Sequence, residues 1–204
     1  MVVDKPSGML VIPTPKKETN TLTDILNRFL DGRGEGPNAY PCHRLDRETS
    51  GLIVYAKGKS AQRLMMDEFK NRAVKKTYTA FVGGTVKHTP GVGFTVINKP
   101  VFNRNKKRNE PAVTKYKVTR RMKDYTILEV EPVTGRTNQI RIHLAGIGHP
   151  VLGERVYAFR RDFKVKFNRV ALHAGSLAFT HPVTKKRISF TSELPEDLEG
   201  LMKN

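Results

Sequence analysis

Apolar residues along this chain recur in two rhythms, and the switches between them divide it into elements. Leu22, Ile25, Leu26, Phe29 and Leu30 fall at helical spacing, which predicts a helix over 21–30, capped by Asn20 or Thr21 and ended by Gly32, Gly34 and Gly36. Ala61, Leu64, Met65 and Phe69 predict a second helix over 60–70 whose apolar side is core and not a cofactor box. Between them, Leu52-Ile53-Val54-Tyr55-Ala56 is an unbroken apolar run, as expected of a strand covered on both faces. Further strand-like segments occupy 77–82, 112–119, 125–131, 172–179 and 187–190. One helix, over 138–147, interrupts that series with Ile140, His143, Leu144 and Ile147 on one face. At the start, 1–11 reads as a short strand, a Lys5-Pro6-Ser7-Gly8 turn and a second apolar piece. Gly91-Val92-Gly93 and the basic stretch around Arg104 read as loops between strands. No internal repeat appears, and strand-rich order with a few helices predicts an α+β fold around a largely antiparallel sheet.

A chain of 204 residues can bury a substantial core, and a single domain with two lobes over 1–204 is the expected organisation. Charge narrows the function more than length does. With 37 Lys and Arg against 19 Asp and Glu, the formal net charge is +18, and the pI is about 10.2. An enzyme of small neutral substrates has no use for such self-repulsion, whereas a polyanion would be drawn to it. The basic residues gather at Arg104-Asn105-Lys106-Lys107-Arg108, at Arg120-Arg121-Met122-Lys123 and at Arg160-Arg161-Asp162-Phe163-Lys164-Val165-Lys166. A merely solvated, lysine-rich surface is the competing explanation. An anionic membrane surface has less support, because no long amphipathic basic helix is present. No stretch reaches the length of a membrane span, and Met1-Val2-Val3-Asp4-Lys5-Pro6 lacks a signal-peptide layout, so a soluble, cytoplasmic protein is expected. The single cysteine, Cys42, excludes an internal disulfide framework and a cysteine zinc cluster. Its place beside His43 allows a thiol nucleophile, but a packed, unreactive thiol is the preferred reading. The six histidines are scattered without metal-ligand spacing, so no metal is expected.

The candidate chemistry centres on His43-Arg44-Leu45-Asp46-Arg47-Glu48-Thr49-Ser50-Gly51. Asp46 has Arg44 and Arg47 on either side, and nearby positive charge keeps a carboxylate ionised even when water is lost. Such a group can serve as nucleophile or base, or it can be the acid of a salt-bridged turn shaped by Thr49, Ser50 and Gly51. Asp46 and Glu48 sit too close on one short loop to face each other as a glycosidase pair. No Gly-x-Ser-x-Gly elbow is present.

The wording of this run, with its following strand and Ala56-Lys57, closely resembles the signature of the RluA family of RNA pseudouridine synthases. Lys75-Lys76-Thr77-Tyr78-Thr79-Ala80-Phe81-Val82 resembles the family's Lys-x-Tyr strand; by alternation Tyr78 points either to a cleft floor or into the core. Gly135-Arg136-Thr137-Asn138-Gln139-Ile140-Arg141-Ile142-His143-Leu144-Ala145, continuing to Gly148-His149-Pro150-Val151-Leu152-Gly153, resembles its Gly-Arg-x-His-Gln-Ile-Arg-x-His block, with Thr137 as the expected helix cap. Leu172-His173-Ala174 through Leu198 resembles its closing strands and final helix.

The resemblance implies a pseudouridine synthase core, a long mixed, largely antiparallel sheet with flanking helices and a central RNA-binding cleft, and an isomerase that needs no cofactor and no metal. It implies catalytic roles for Asp46 in glycosidic cleavage, Tyr78 in stacking on the target base, and Arg141 as the partner of Asp46. It further implies RNA contacts by Arg44, which would fill the place of a flipped base, and by Arg47, Lys76 and Arg136. The expected partner is structured RNA, ribosomal before transfer RNA, with the protein acting as a monomer. Members normally carry residues before the point where this chain starts, which reads as a clipped chain or a start codon further upstream, and the small S4-type RNA-binding domain that many carry is not seen. Asn138 stands where many members have histidine, so altered substrate contacts with catalysis retained are expected. The rival function is a non-catalytic RNA-binding or ribosome assembly protein on the same fold.

Overall fold

In the computed structural model, which describes residues 1–36, 38–87, 93–159 and 163–203, strands and helices follow the order β1 (Val2–Lys5), α1 (Leu22–Asp31), β2 (Ala39–Pro41), β3 (Ser50–Lys57), α2 (Lys59–Lys70), β4 (Lys75–Gly83), β5 (Thr95–Asn98), β6 (Val101–Asn103), β7 (Arg108–Glu110), β8 (Val113–Arg121), β9 (Tyr125–Pro132), α3 (Gln139–Gly146), β10 (Leu172–Thr180), β11 (Arg187–Thr191) and α4 (Glu196–Lys203). The chain divides into two compact units, 1–75 with 174–193, and 76–173 with 194–204. All the predicted helices and strands form, and the fold is α+β. Four short strands, β2, β5, β6 and β7, escape the periodicity. Each has only three or four residues, too few for an alternating pattern to register. The basic stretch around Arg104 lies between strands as expected, with Arg104 to Lys107 forming the turn at the tip of the β6–β7 hairpin. Of the other expected loop, Gly91 and Val92 lie outside the described residues, as do Arg160, Arg161 and Asp162 of the third basic cluster.

In the first unit β3 is central. It pairs antiparallel with β1 and with β2, and neighbours β10, which pairs with β11. Every residue of β3 except Lys57 is buried, as its continuous apolar run requires. Leu52, Val54 and Ala56 on one face pack with Cys42, Met65, Val74, Leu177 and Phe179. The α1 start carries a full capping box, in which Asp24 N–H donates to the Thr21 hydroxyl and the Asp24 carboxylate accepts from Thr21 N–H.

Gly51 makes the close approach of β3 to β10 possible. Its φ is +108°, and a Cβ there would come within 2.7 Å of the Ala174 amide nitrogen. Positive φ and backbone overlap penalise the same substitution, so Gly51→Ala is expected to cost roughly 2–5 kcal/mol. A denaturant midpoint unchanged by Gly51→Ala in equilibrium unfolding would contradict this close packing.

In the second unit β4, β9, β8 and β5 form an antiparallel array. A bulge between Val118 and Arg120 bends β8. The core is built from Phe81, Val82, Val118, Ile127, Leu128, Val130, Leu144, Leu152 and Leu198, all nearly without exposed surface. The segment after α3 is stitched to this array, since Leu152 N–H donates to Phe81 O at 2.8 Å and Ala171 N–H to Leu152 O at 2.9 Å. α4 is tied down by the Tyr125 hydroxyl, which donates to Leu201 O, and by a two-pronged Arg169–Asp197 ion pair at 2.6 and 2.8 Å.

Candidate active site

The signature loop lies wholly in the first unit, and a turn sets its shape. Thr49 N–H donates to Asp46 O at 3.1 Å, which closes the loop on itself. Lys5, with no exposed surface, drives its ammonium under this loop and donates to the carbonyls of Arg47 at 3.0 Å, Pro6 at 2.9 Å and Met9 at 2.9 Å. The Ser7 hydroxyl donates to Glu48 O at 2.7 Å, and Gly8 N–H to Arg47 O at 2.8 Å. The Lys5-Pro6-Ser7-Gly8 turn thus clasps the carbonyls of Arg47 and Glu48, and Asp46 projects half-buried from a loop that cannot flex freely.

The neighbours of Asp46 have separate tasks. His43 faces inward, where its Nε2 accepts from Val54 N–H at 3.0 Å and its ring lies 4.9 Å from that of Phe69. Leu45 is buried. Arg47 is exposed and ion-paired with Glu18 at 3.3 Å, a surface contact weak enough for a phosphate to replace. Arg44 is exposed and makes no hydrogen bond or ion pair among the described residues. Cys42 is packed in the core, and burial pushes its thiol up to about 11, which keeps it protonated and inert at neutral pH.

Lys76, Tyr78, Arg136 and Arg141 belong to the second unit. Tyr78 is 7% exposed and stands opposite Val130 on β9. Burial lowers the pKa of the Lys76 ammonium, which lies over the start of the Gly135 block: a Cβ on Gly135 would be 3.9 Å from Lys76 Nζ. Arg136 donates to Pro111 O at 3.1 Å and approaches the Glu110 carboxylate at 3.5 Å. Asn103, Lys106 and Arg136 converge on that carboxylate, and the hydrogen bonds from Asn103 and Lys106 are the main reason it is pushed down to about 2.

A buried polar chain fixes α3. Burial lowers the pKa of His143, so its ring is neutral. Lys99 O can only accept, so Nε2 carries the proton, at 2.9 Å, and Nδ1 accepts from the Thr114 hydroxyl at 2.9 Å. That hydroxyl then accepts from Gln139 Nε2 at 2.9 Å, while Gln139 Oε1 accepts from Thr134 Oγ1 at 2.6 Å and from Arg136 N–H at 3.0 Å. Gln139 and His143, four residues apart on one helix face, therefore lock the helix to β8 and leave Arg141 on another face.

Thr137 was the expected cap of this helix, and the structure corrects that. Asn138 occupies the cap position with φ +55° and makes no side-chain cap bond. Its side chain is engaged elsewhere, as Oδ1 accepts from Arg141 Nη1 at 3.1 Å and Nδ2 donates to the Tyr157 hydroxyl at 2.9 Å. A left-handed backbone suits asparagine better than most residues.

Arg141 is 11% exposed and meets a residue not anticipated from the sequence, Glu154, which has no exposed surface. The pair is two-pronged, Nε to Oε2 at 2.7 Å and Nη2 to Oε1 at 2.8 Å. Burial alone would raise the Glu154 pKa, but the Arg141 hydrogen bonds and the amides of Val156 and Arg155 outweigh it and hold the acid below its ordinary value. Glu154 and Lys5 both escaped the sequence reading because a charged side chain carries no periodicity. The available signal was their setting, beside Gly153 at φ +77° and before a Pro-Ser-Gly turn. Among the described residues no group of histidine, cysteine and acids could hold a metal ion, and no helix is long and apolar enough to cross a membrane.

A family profile described as RNA pseudouridylate synthase matches residues 1–146, a span that includes Asp46, Tyr78 and Arg141. The uncharacterized RNA pseudouridine synthase YlyB of Bacillus subtilis is 37% identical over all of this chain and 69% of its own length. The dual-specificity RNA pseudouridine synthase RluA of Pasteurella multocida is 36% identical over 94% of this chain and 88% of its own. In fold, the chain is similar to the human RNA pseudouridylate synthase domain containing 4, with a TM-score of 0.78 at 24% identity over 97% of this chain and 86% of that one. The chain belongs to the RluA-type family of RNA pseudouridine synthases, isomerases that turn uridine in RNA into pseudouridine.

Proposed function

We propose that this chain flips particular uridines out of structured RNA, ribosomal RNA first and transfer RNA second, and isomerises them by a cleavage that Asp46 initiates. The observation that carries this is the clasped loop: an acid presented on a backbone that Lys5, Ser7 and Thr49 pin in place. Relatives bearing the names ribosomal large subunit pseudouridine synthase D and dual-specificity RluA support the substrate class.

The chemistry asks little beyond these side chains. Flipping a stacked base costs a few kcal/mol, which phosphate contacts and stacking offset. Arg44, exposed and without a bond among the described residues, suits the place vacated by the base, and Tyr78 offers the base a flat face. Asp46 then attacks the sugar at C1′ or removes the proton at C2′, and the N1–C1′ bond breaks. The base turns, and C5 bonds to C1′ as the Asp46–C1′ bond breaks or as Asp46 returns the proton to C2′; N1 then takes a proton from solvent and the C5 proton is released to solvent. Atoms balance without redox partner, nucleotide or metal.

Release of tritium from C5-labelled uridine in RNA tests the reading, and no release from any ribosomal or transfer RNA would favour a non-catalytic RNA-binding protein. Arg141 and Arg104 should differ in kind. Arg104 sits exposed on the hairpin tip and makes no bond among the described residues, so Arg104→Ala is expected to raise the KM for RNA several-fold and flatten its salt dependence. Arg141→Ala is expected to cost about a hundredfold in turnover at saturating RNA. Equal turnover losses in the two variants would refute that division.

A further inference from the structure

We propose that Glu154 is a positioning residue of the isomerisation, holding the Arg141 guanidinium in one orientation. This rests on the reading of Arg141 as a catalytic residue.

A carboxylate has about four lone-pair sites. Glu154 accepts five bonds: two from Arg141, and three from the backbone N–H groups of Arg155 at 2.9 Å, Val156 at 2.8 Å and Tyr157 at 3.3 Å. Four of these fall on Oε1 and one on Oε2, and the residue has no exposed surface and so cannot touch RNA. Its action must pass through what it holds.

What it holds is Arg141, on its edge and indirectly on its face. The same carboxylate gathers the backbone of 155–157, and this turn carries the Tyr157 ring to 5.4 Å beneath the guanidinium carbon. The Tyr157 hydroxyl takes the Asn138 amide, whose oxygen takes Arg141 Nη1. Nε and Nη2 are thus assigned to Glu154, and Nη1 is aligned by Asn138. A long arginine that loses its rotamer freedom on folding need not lose it at the transition state. Gly153 makes the arrangement possible, since a Cβ at its φ of +77° would overlap the Arg169 carbonyl. The chain can turn into Glu154 only through glycine.

Steady-state and single-turnover kinetics on an RNA that the native enzyme modifies test the proposal, alongside thermal unfolding. Glu154→Gln replaces one acceptor by an amide that opposes an arginine N–H, and is expected to lower kcat roughly 10- to 100-fold with KM within about twofold. Glu154→Asp keeps the charge but draws the carboxylate back by one methylene, and is expected to lower kcat by a smaller factor. Should Glu154→Gln fail to fold, Glu154→Asp decides alone. Unchanged kcat in whichever variant folds, or a rise in KM alone, overturns the proposal. Arg141→Ala separates the two levels. Full turnover in that variant removes the underlying reading of Arg141, whereas an inactive Arg141→Ala beside a fully active Glu154→Gln overturns the clamp only.

Discussion

Asp46→Asn is expected to abolish pseudouridine formation, by more than about a thousandfold, while RNA affinity stays within a few-fold of native. The amide keeps the shape and removes the charge, so it can neither attack C1′ nor take a proton from C2′. The loop should survive the change, because the backbone turn runs through the Asp46 carbonyl, the amide keeps the size of the carboxylate, and the clasp from Lys5 and Ser7 acts on residues 47 and 48. Binding should survive because exposed arginines and lysines supply the attraction to phosphate. Residual turnover above one per cent of native, measured by tritium release, would remove Asp46 from the chemistry.

Lys5→Met is expected to carry the second large effect, a loss of about 2–4 kcal/mol in stability. Methionine matches the length of lysine and fills the same space, but it leaves the carbonyls of Pro6, Met9 and Arg47 without their buried donor. Part of the loss returns, because an ammonium no longer has to be stripped of water. For a chain of this size the fall in Tm should be about 5–15 °C. Turnover should drop as well, about tenfold, since the loop that presents Asp46 loses its floor. A Tm within a degree or two of native would show that the clasp contributes nothing to the fold.

Helix α1 and strand β3 show how far the chain's own pattern reaches. Thr21 and Asp24 cap the helix where the spacing of Leu22, Ile25 and Phe29 places its start, and β3 is covered on both faces as its unbroken run of apolar residues requires. These elements are legible because burial imposes a period on neighbouring positions. The β6–β7 hairpin and the Asn138 turn were not, because three-residue strands have no period and a left-handed backbone leaves none. In the candidate site the same division holds. Asp46, Tyr78 and Arg141 could be named from the wording of three separate blocks. Glu154 and Lys5 could not, since their importance lies in what they meet: a guanidinium thirteen residues back in one case and a carbonyl forty-two residues ahead in the other.

By itself the sequence determined the order of the main elements, the positive charge that suits an RNA substrate, and an acid, Asp46, set between two arginines. These follow from short-range periodicity, composition and residue type, which need no knowledge of distant contacts. Only the tertiary structure decided how these side chains are held: a buried lysine beneath the Asp46 loop, a buried glutamate against Arg141, and a neutral His143 locking α3 to β8. Charged and polar groups survive burial only when donors and acceptors from elsewhere in the chain converge on them. That convergence is a property of the fold, and no local pattern records it.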